Sequence, residues 1–164
     1  MRSLECEIPR CNVQVLEQLG KGACYRQDAL HLAHRKNVPT GNFGTVHRVR
    51  VAQDPDVPTG LYAAKMLSAA QVTDDLKLEF LQEAAIQSQF DHQNVVAVVA
   101  TVIADAPMLI ILELCGQGEL LDMLRKTPAP ELHWQLSMAR DVACGMAYLH
   151  SKSFLHRDLA VTWP

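Results

Sequence analysis

Alternating apolar and polar residues mark the first third of the chain as strand-rich. Val13, Val15 and Leu19 fall at every second place of the stretch 13–19, with Glu17 also in that series. The stretch 46–51 interleaves β-branched residues with polar ones, and a period of two is typical of strands. The short apolar stretch 61–67 predicts a third strand.

A helical period follows, and then apolar stretches again. Thr73 can cap a helix that runs to about Phe90, with the stripe Leu76, Phe80, Ile86 or Gln87, and Phe90; Glu83 is out of place in this stripe. Two apolar strands are predicted around 95–104 and 108–114, a short helix over 119–125, and a longer helix over 131–151 with Leu132, Leu136, Ala139, Ala143 and Met146 on one side. Five strands with a helix after the third, followed by helices only, indicate an α+β fold.

The most apolar window, 95–112, is long enough to be tested as a membrane span. Asp105 lies in its middle beside Pro107, and a central Asp costs roughly 3 kcal/mol on insertion scales. Two buried strands joined by a turn fit better. The first ten residues carry four charges and no apolar core, so we expect no signal peptide in them. We therefore expect no membrane segment in the chain.

Composition excludes some functions. Nearly half of the 164 residues are apolar, enough for a sizeable core, and the net charge of −3 gives no electrostatic case for nucleic acid or an anionic membrane. The five cysteines are odd in number and lack metal-ligand or redox spacing. Reduced thiols in the cytoplasm fit this pattern best.

The first chemical feature is a set of glycines, Gly20, Gly22 and Gly44. With residues 23–41 set aside, the chain reads Leu-Gly-Lys-Gly-Asn-Phe-Gly-Thr-Val, and backbone amides in such a loop can approach phosphate oxygens closely. A dinucleotide-binding turn also has this spacing, but it should open a helix, whereas a strand is predicted here. Glycines that serve only a hairpin remain an alternative for this feature.

The second feature is Lys65 on the predicted third strand, with Glu83 on the following helix. A lysine among apolar neighbours needs a partner, and a helical Glu that faces it can supply one. In the functional interpretation, the lysine holds the α- and β-phosphates of a nucleotide. A solvated lysine at a strand end is the alternative.

The third feature is His156-Arg157-Asp158-Leu159-Ala160, directly after the long helix. An aspartate there could accept the proton of a substrate hydroxyl as nucleophile and phosphate come together. The triplet occurs by chance in many chains, so its value lies in its place after the other two features.

In this order, the glycine-rich hairpin, strand lysine, helix glutamate and His-Arg-Asp resemble the signature set of protein kinases. Four further segments are similar to kinase segments: 7–10 before the first strand, 90–96 after the helix, 111–115 at the hinge with Leu112 at the gatekeeper place, and 145–149. Ala160, where serine/threonine kinases usually have Lys, favours the tyrosine class.

The resemblance implies a kinase-like small lobe (a five-stranded antiparallel sheet plus one helix) and the first helices of an incomplete helical lobe. Leu19, Val46 and Ala63 would line the adenine site, and backbone groups of Glu113 and Cys115 would bind the adenine edge. Lys65, held by Glu83, would contact the phosphates beneath the loop of Gly20, Gly22 and Gly44, and Asp158 would be the base. The implied segments are a lead-in over 1–12, the small lobe over 13–114 with an insert at 23–41, the hinge and start of the helical lobe over 115–160, and a divergent tail over 161–164.

The family activity would be ATP- and Mg²⁺-dependent phosphorylation of tyrosines in an unknown protein substrate, in the cytoplasm or the cytoplasmic part of a receptor. Two departures change this expectation. Trp163 stands where the family has an Mg²⁺-binding asparagine, and no Asp-Phe-Gly follows, so the chain lacks protein Mg²⁺ ligands and is expected to be truncated and inactive alone. The insert 23–41 would displace the loop amides from the phosphates. The repeated Gly22 and Gly41, and Val161, whose codon must begin GT, motivate the hypothesis that insert and tail are unspliced sequence.

The truncation also predicts that much of the apolar side of helix 131–151 stays exposed, which invites aggregation or capture by chaperones. The alternative function from another class is a non-catalytic isoform that binds a nucleotide or a partner, or that competes with a full-length kinase.

Overall fold

The computed structural model describes residues 6–22, 44–67, 73–118, 120–126, 128, 130–156 and 159, with only the backbone of residues 21 and 22. The predicted insert 23–41, the tail 161–164 and Asp158 lie outside these residues. The chain divides into two compact units, described one at a time below. The sheet unit takes the described residues of Met1–Gln89 and Val98–Leu114, and the helical unit takes those of Phe90–Ala97 and Cys115–Pro164.

The sheet unit is built on one five-stranded sheet in the order β1-β2-β3-β5-β4, in which every neighbouring pair is antiparallel. The strands are β1 Val13–Gly22, β2 Gly44–Val51, β3 Gly60–Met66, β4 Val98–Val102 and β5 Leu109–Leu112. The α+β class and the antiparallel sheet with one helix are confirmed. The apolar window 95–112 contains β4 and β5, and no helix among the described residues is long and apolar enough to cross a bilayer.

One face of the sheet packs against Ile8 of the lead-in. Its core contains Val49, Val51, Ala64, Leu109 and Ile111, together with Ile8. The backbone N–H of Ile8 donates to the Thr101 carbonyl at 2.9 Å, and the N–H of Thr101 donates to the Cys6 carbonyl at 2.9 Å. The lead-in therefore binds along β4 and buries Ile8 where the edge strand would otherwise be open.

The other face packs against helix α1, Asp74–Gln87. Phe80 and Ala84 contact a cluster that includes Met108 and Ile110. Thr73 caps the helix as predicted, because its Oγ1 accepts the N–H of Leu76 at 3.3 Å. The helix ends at Gln87, before the predicted Phe90. Phe90 belongs instead to the helical unit, where its ring contacts Tyr148 and Phe154.

The helical unit contains α2, Leu120–Leu124, and α3, Leu132–Ser151. The segment Phe90–Ala97 packs along α3: the N–H of Asp91 donates to the Tyr148 hydroxyl at 2.9 Å, and His92 stacks on the Tyr148 ring. A Cβ on Gly145 would lie 2.6 Å from the Asn94 carbonyl oxygen, so only glycine fits this approach. Both predicted helices are present, with bounds that differ by one residue or so.

Candidate functional site

Three strands bring the candidate residues of the sheet side by side. Lys65 on β3 pairs with Val46 on β2 and with Ile110 on β5. Directly opposed residues in a sheet project to the same face. Ile110 belongs to the cluster that contacts α1, so Lys65 also points to the face that α1 covers.

Lys65 meets Glu83 of α1 at this face. The Lys65 Nζ lies 2.6 Å from Glu83 Oε1 and 2.5 Å from Oε2. Both side chains are buried, with 6% and 7% exposed. Removing two charges from water is costly, and a close geometry with both carboxylate oxygens compensates for that cost. The contact explains why a carboxylate occupies the otherwise apolar stripe of α1.

A third residue joins the pair. Gln87 lies one helical turn after Glu83, and its Nε2 donates to Glu83 Oε1 at 3.3 Å. The sequence pattern placed Gln87 only as a possible member of the apolar stripe. An amide on the buried side of a helix, four residues after a carboxylate that is also out of place, is the signal that could have revealed the contact.

The residues predicted to line the adenine site differ in exposure. Ala63 is buried and precedes Lys65 by two positions, so it shares the face of Lys65. Val46 is half-buried, and Leu19 on β1 is exposed. The structure thus groups Val46 and Ala63 around Lys65, whereas their contact with adenine stays a prediction.

The glycines lie where β1 and β2 begin to pair. Gly20 is opposite Val46, and Gly22 is opposite Gly44. A Cβ on Gly44 would lie 2.6 Å from the Met66 carbonyl oxygen, so close packing of β2 on β3 requires glycine there. Space around Gly20 is open, because no atom lies within 4 Å of a Cβ built on it. Gly20 therefore has room that the packing of the sheet does not need.

Three candidates remain: Glu113, Cys115 and Asp158. Glu113 is exposed just after β5, and Cys115 is exposed and belongs to the helical unit. Asp158 lies outside the described residues. The roles of these three residues stay predictions from the family resemblance.

The residues present fit a nucleotide phosphate better than a metal ion. Lys65 supplies a buried cation beside a strand end rich in glycine, which is suited to an anion. No group of three or more His, Cys, Asp or Glu suited to a metal occurs among the described residues, and Trp163 has no oxygen ligand to offer Mg²⁺.

Two groups away from Lys65 have shifted pKa values. Burial raises the pKa of the Cys6 thiol above its usual range, and the charges of Asp56 and Asp54 add to this. The pKa of Glu17 is lowered by a hydrogen bond from its own backbone amide and then by the Arg48 guanidinium, which donates to Glu17 Oε1 at 2.8 Å. Neither shift has Lys65 or Glu83 among its causes, so neither indicates a catalytic site at the ion pair.

Several known proteins are similar to this chain in sequence. Tyrosine-protein kinase Src64B of Drosophila melanogaster is 35% identical over 156 residues, which are 94% of this chain and 23% of the fly protein. Tyrosine-protein kinase Fer of Mus musculus is 37% identical over 121 residues, 73% of this chain and 14% of Fer. The transforming protein Fps of avian sarcoma virus (strain PRCII), also a tyrosine-protein kinase, is 34% identical over 126 residues, 76% of this chain and 23% of Fps. The chain thus spans less than a quarter of the length of each relative.

The sequence profile described as "Protein tyrosine and serine/threonine kinase" matches residues 32–162. This range is most of the chain, and it includes Lys65, Glu83 and the His-Arg-Asp triplet. The chain belongs to the protein tyrosine and serine/threonine kinase family.

Proposed function

We propose that the chain carries the phosphate-binding core of a protein kinase that acts on tyrosine. The buried contact of Lys65 with both carboxylate oxygens of Glu83 carries this proposal. A kinase lysine that holds the α- and β-phosphates is itself positioned by a helical glutamate. Ala160 and the names of the relatives, which are tyrosine-protein kinases, support tyrosine as the acceptor.

In the proposed reaction, Lys65 binds oxygens of the α- and β-phosphates while Glu83 holds its ammonium group. Val46 and Ala63 lie beside Lys65 on the same face and would contact the adenine together with Leu19. The tyrosine oxygen forms a bond to the γ-phosphorus as the bond between that phosphorus and ADP breaks, and Asp158 takes the hydroxyl proton. The Lys65–Glu83 pair contributes orientation and charge, which supply most of the catalysis in phosphoryl transfer.

We further propose that a polypeptide of these 164 residues binds ATP but does not transfer phosphate on its own. The proposal is supported by Trp163 at the place of the Mg²⁺-binding asparagine and by the lack of an Asp-Phe-Gly sequence among these residues. Mg²⁺ would neutralise the charge that develops on the phosphates. Without protein ligands for the ion, that stabilisation is lost.

A cytoplasmic location is proposed because the described cysteines Cys6, Cys11, Cys115 and Cys144 are free thiols. The alternative function is binding without catalysis, either to a partner or to a chaperone. It is favoured by the exposed apolar side of α3, where Leu132 and Leu136 face solvent.

The test combines nucleotide binding with phosphate transfer. We expect millimolar Mg-ATP to raise the melting temperature of the 164-residue chain, and we expect Lys65→Met to abolish that rise. Transfer of labelled γ-phosphate to a Glu-Tyr copolymer should stay at background. No rise with the wild-type chain would contradict the kinase core and favour binding without nucleotide, and transfer above background would contradict the proposed inactivity.

A further inference from the structure

We infer that Gln87 is a positioning residue that holds the Glu83 carboxylate for Lys65. The inference rests on the proposed function, because it assigns Gln87 a part in phosphate binding. The contact that supports the inference joins Gln87 Nε2 to Glu83 Oε1 at 3.3 Å. Lys65 Nζ lies 2.6 Å from the same oxygen. Oε1 of Glu83 therefore accepts from two donors.

The carboxylate of a glutamate needs such a second donor to stay in place. The last torsion of a Glu side chain is broad, so the carboxylate plane is poorly fixed by the chain itself. An ionised carboxylate has about four acceptor sites, and burial makes unused ones costly. The whole Glu83 residue, backbone included, is 8% exposed, so water can occupy few of the acceptor sites of its carboxylate. A donor from Gln87 supplies part of it and restricts rotation of the carboxylate.

Both residues of this contact lie on helix α1, so the contact does not depend on the position of another element. Residues four apart lie on one face of a helix, and Gln87 follows Glu83 by four positions on α1. Phe80 and Ala84 anchor the same face in the core, so the glutamate and its donor are carried by one well-packed element. Any movement of α1 would carry Gln87 and Glu83 together.

The side-chain type at position 87 suits this role. Gln87 lies at the end of the stripe that contains the buried Phe80 and Ala84, where an apolar residue would pack without cost. A half-buried amide there is unfavourable unless it is hydrogen-bonded. The amide is also neutral, so it donates to Glu83 without adding a cation that would compete with Lys65.

The first test measures nucleotide binding by Gln87→Met, which keeps the length of the side chain and removes the donor. By titration calorimetry on the 164-residue chain, we expect the dissociation constant for Mg-ATP to rise about threefold to tenfold, which corresponds to the net contribution of a typical hydrogen bond. Binding of adenosine, which has no phosphates, should not change. Gln82→Met is the matched control, since Gln82 is exposed on the same helix.

The second test needs no nucleotide. Trace acylation by acetic anhydride at fixed pH, read by peptide mass spectrometry, measures how well Lys65 is held, and the exposed Lys77 serves as internal standard. We expect Gln87→Met to raise Lys65 acylation about threefold or more relative to Lys77, and Gln82→Met to leave it unchanged.

The outcomes separate this inference from the proposed function. If Gln87→Met matches Gln82→Met in both tests, or weakens adenosine and Mg-ATP equally, the positioning role is wrong. If the wild-type chain binds no Mg-ATP, the proposed function fails. The acylation ratio then decides alone whether Gln87 holds the Lys65–Glu83 pair.

Discussion

In the sheet unit, Val49, Ile110 and Ile111 have no exposed surface, whereas Leu132, Trp134 and Leu136 of the helical unit are 69%, 59% and 61% exposed. Both regions contain long apolar stretches. One face of the sheet buries Ile8 in a core with Val49 and Ile111, and the other packs against Phe80 and Ala84 of α1. Within the part of the chain that the structure describes, the buried residues of helix α3 are Gly145 and Leu149.

This difference explains why the buried ion pair lies where it does. Lys65 and Glu83 attract each other strongly only where water is excluded and neighbouring atoms are closely packed. The sheet unit meets that condition through the cluster of Phe80, Ala84 and Ile110. The described part of the helical unit has Leu149 as its one buried hydrophobic side chain, so it offers little dry surface for a charge.

The largest expected effect comes from breaking the ion pair. Glu83→Ala should lower the free energy of unfolding of the sheet unit by about 3–5 kcal/mol, because it leaves the buried Lys65 without its carboxylate. Asp74→Ala, which breaks the exposed contact with Lys77, should have little effect, because water screens this pair. Urea unfolding followed by circular dichroism measures both. Equal costs would show that the Lys65–Glu83 pair is not buried.

Two matched substitutions, each of which shortens one side chain to alanine, compare the packing of the sheet unit with that of the helical unit. Ile111→Ala removes a fully buried side chain and should cost about 2–5 kcal/mol in urea unfolding. Leu136→Ala removes an exposed one and should stay within about 0.5 kcal/mol. A large loss from Leu136→Ala would mean that this side of α3 is covered in solution.

A smaller effect is expected within the helical unit. Tyr148→Phe removes the hydroxyl that accepts the N–H of Asp91, and it should cost about 1 kcal/mol. Amide exchange at Asp91 should become about fivefold faster by the same reasoning. Tyr62→Phe, which removes a hydroxyl bonded to the Pro58 carbonyl in the sheet unit, is the control and should leave Asp91 unchanged. Unchanged exchange in both variants would contradict the contact.

The smallest effect is a pH dependence of the sheet unit. Because burial raises the pKa of Cys6, the folded state keeps the thiol proton to a higher pH than the unfolded chain does. The protonated Cys6 thiol therefore contributes fully to the stability of the fold at pH values below the usual pKa of a thiol. This contribution is lost as the pH rises through the raised pKa. Cys6→Ser should flatten this alkaline decline in urea midpoints. An unchanged slope would assign the decline to other groups.

Much of the sheet could be predicted from the sequence because strand periodicity is local. Val13 to Leu19 and Val46 to Val51 alternate clearly, and the pairing of Lys65 with Glu83 follows from two charged residues among apolar neighbours. The end of α1 could not be predicted in the same way. Phe90 fits the helical period, yet its ring contacts Tyr148 and Phe154, which are distant in sequence.

Helix α3 and Gln87 show two further limits of prediction from the sequence. The spacing of Leu132 and Leu136 predicts the helix and its apolar side. That this side is exposed follows from the family resemblance and not from the helical period. A period of 3.6 identifies a face but not what covers it. Gln87 was missed because an amide is compatible with either solvent or a buried acceptor, and only the position of Glu83 distinguishes the two.

The most direct test of the phosphate-binding core is amide hydrogen exchange of the wild-type chain with and without Mg-ATP, with Lys65→Met as reference. We predict that Mg-ATP slows exchange in β1, β2 and β3 around Gly20, Val46 and Lys65, that residues 132–151 are unaffected, and that Lys65→Met removes the protection. Protection confined to residues 132–151, or protection of the strands that persists in Lys65→Met, would contradict a nucleotide site built on the Lys65–Glu83 pair.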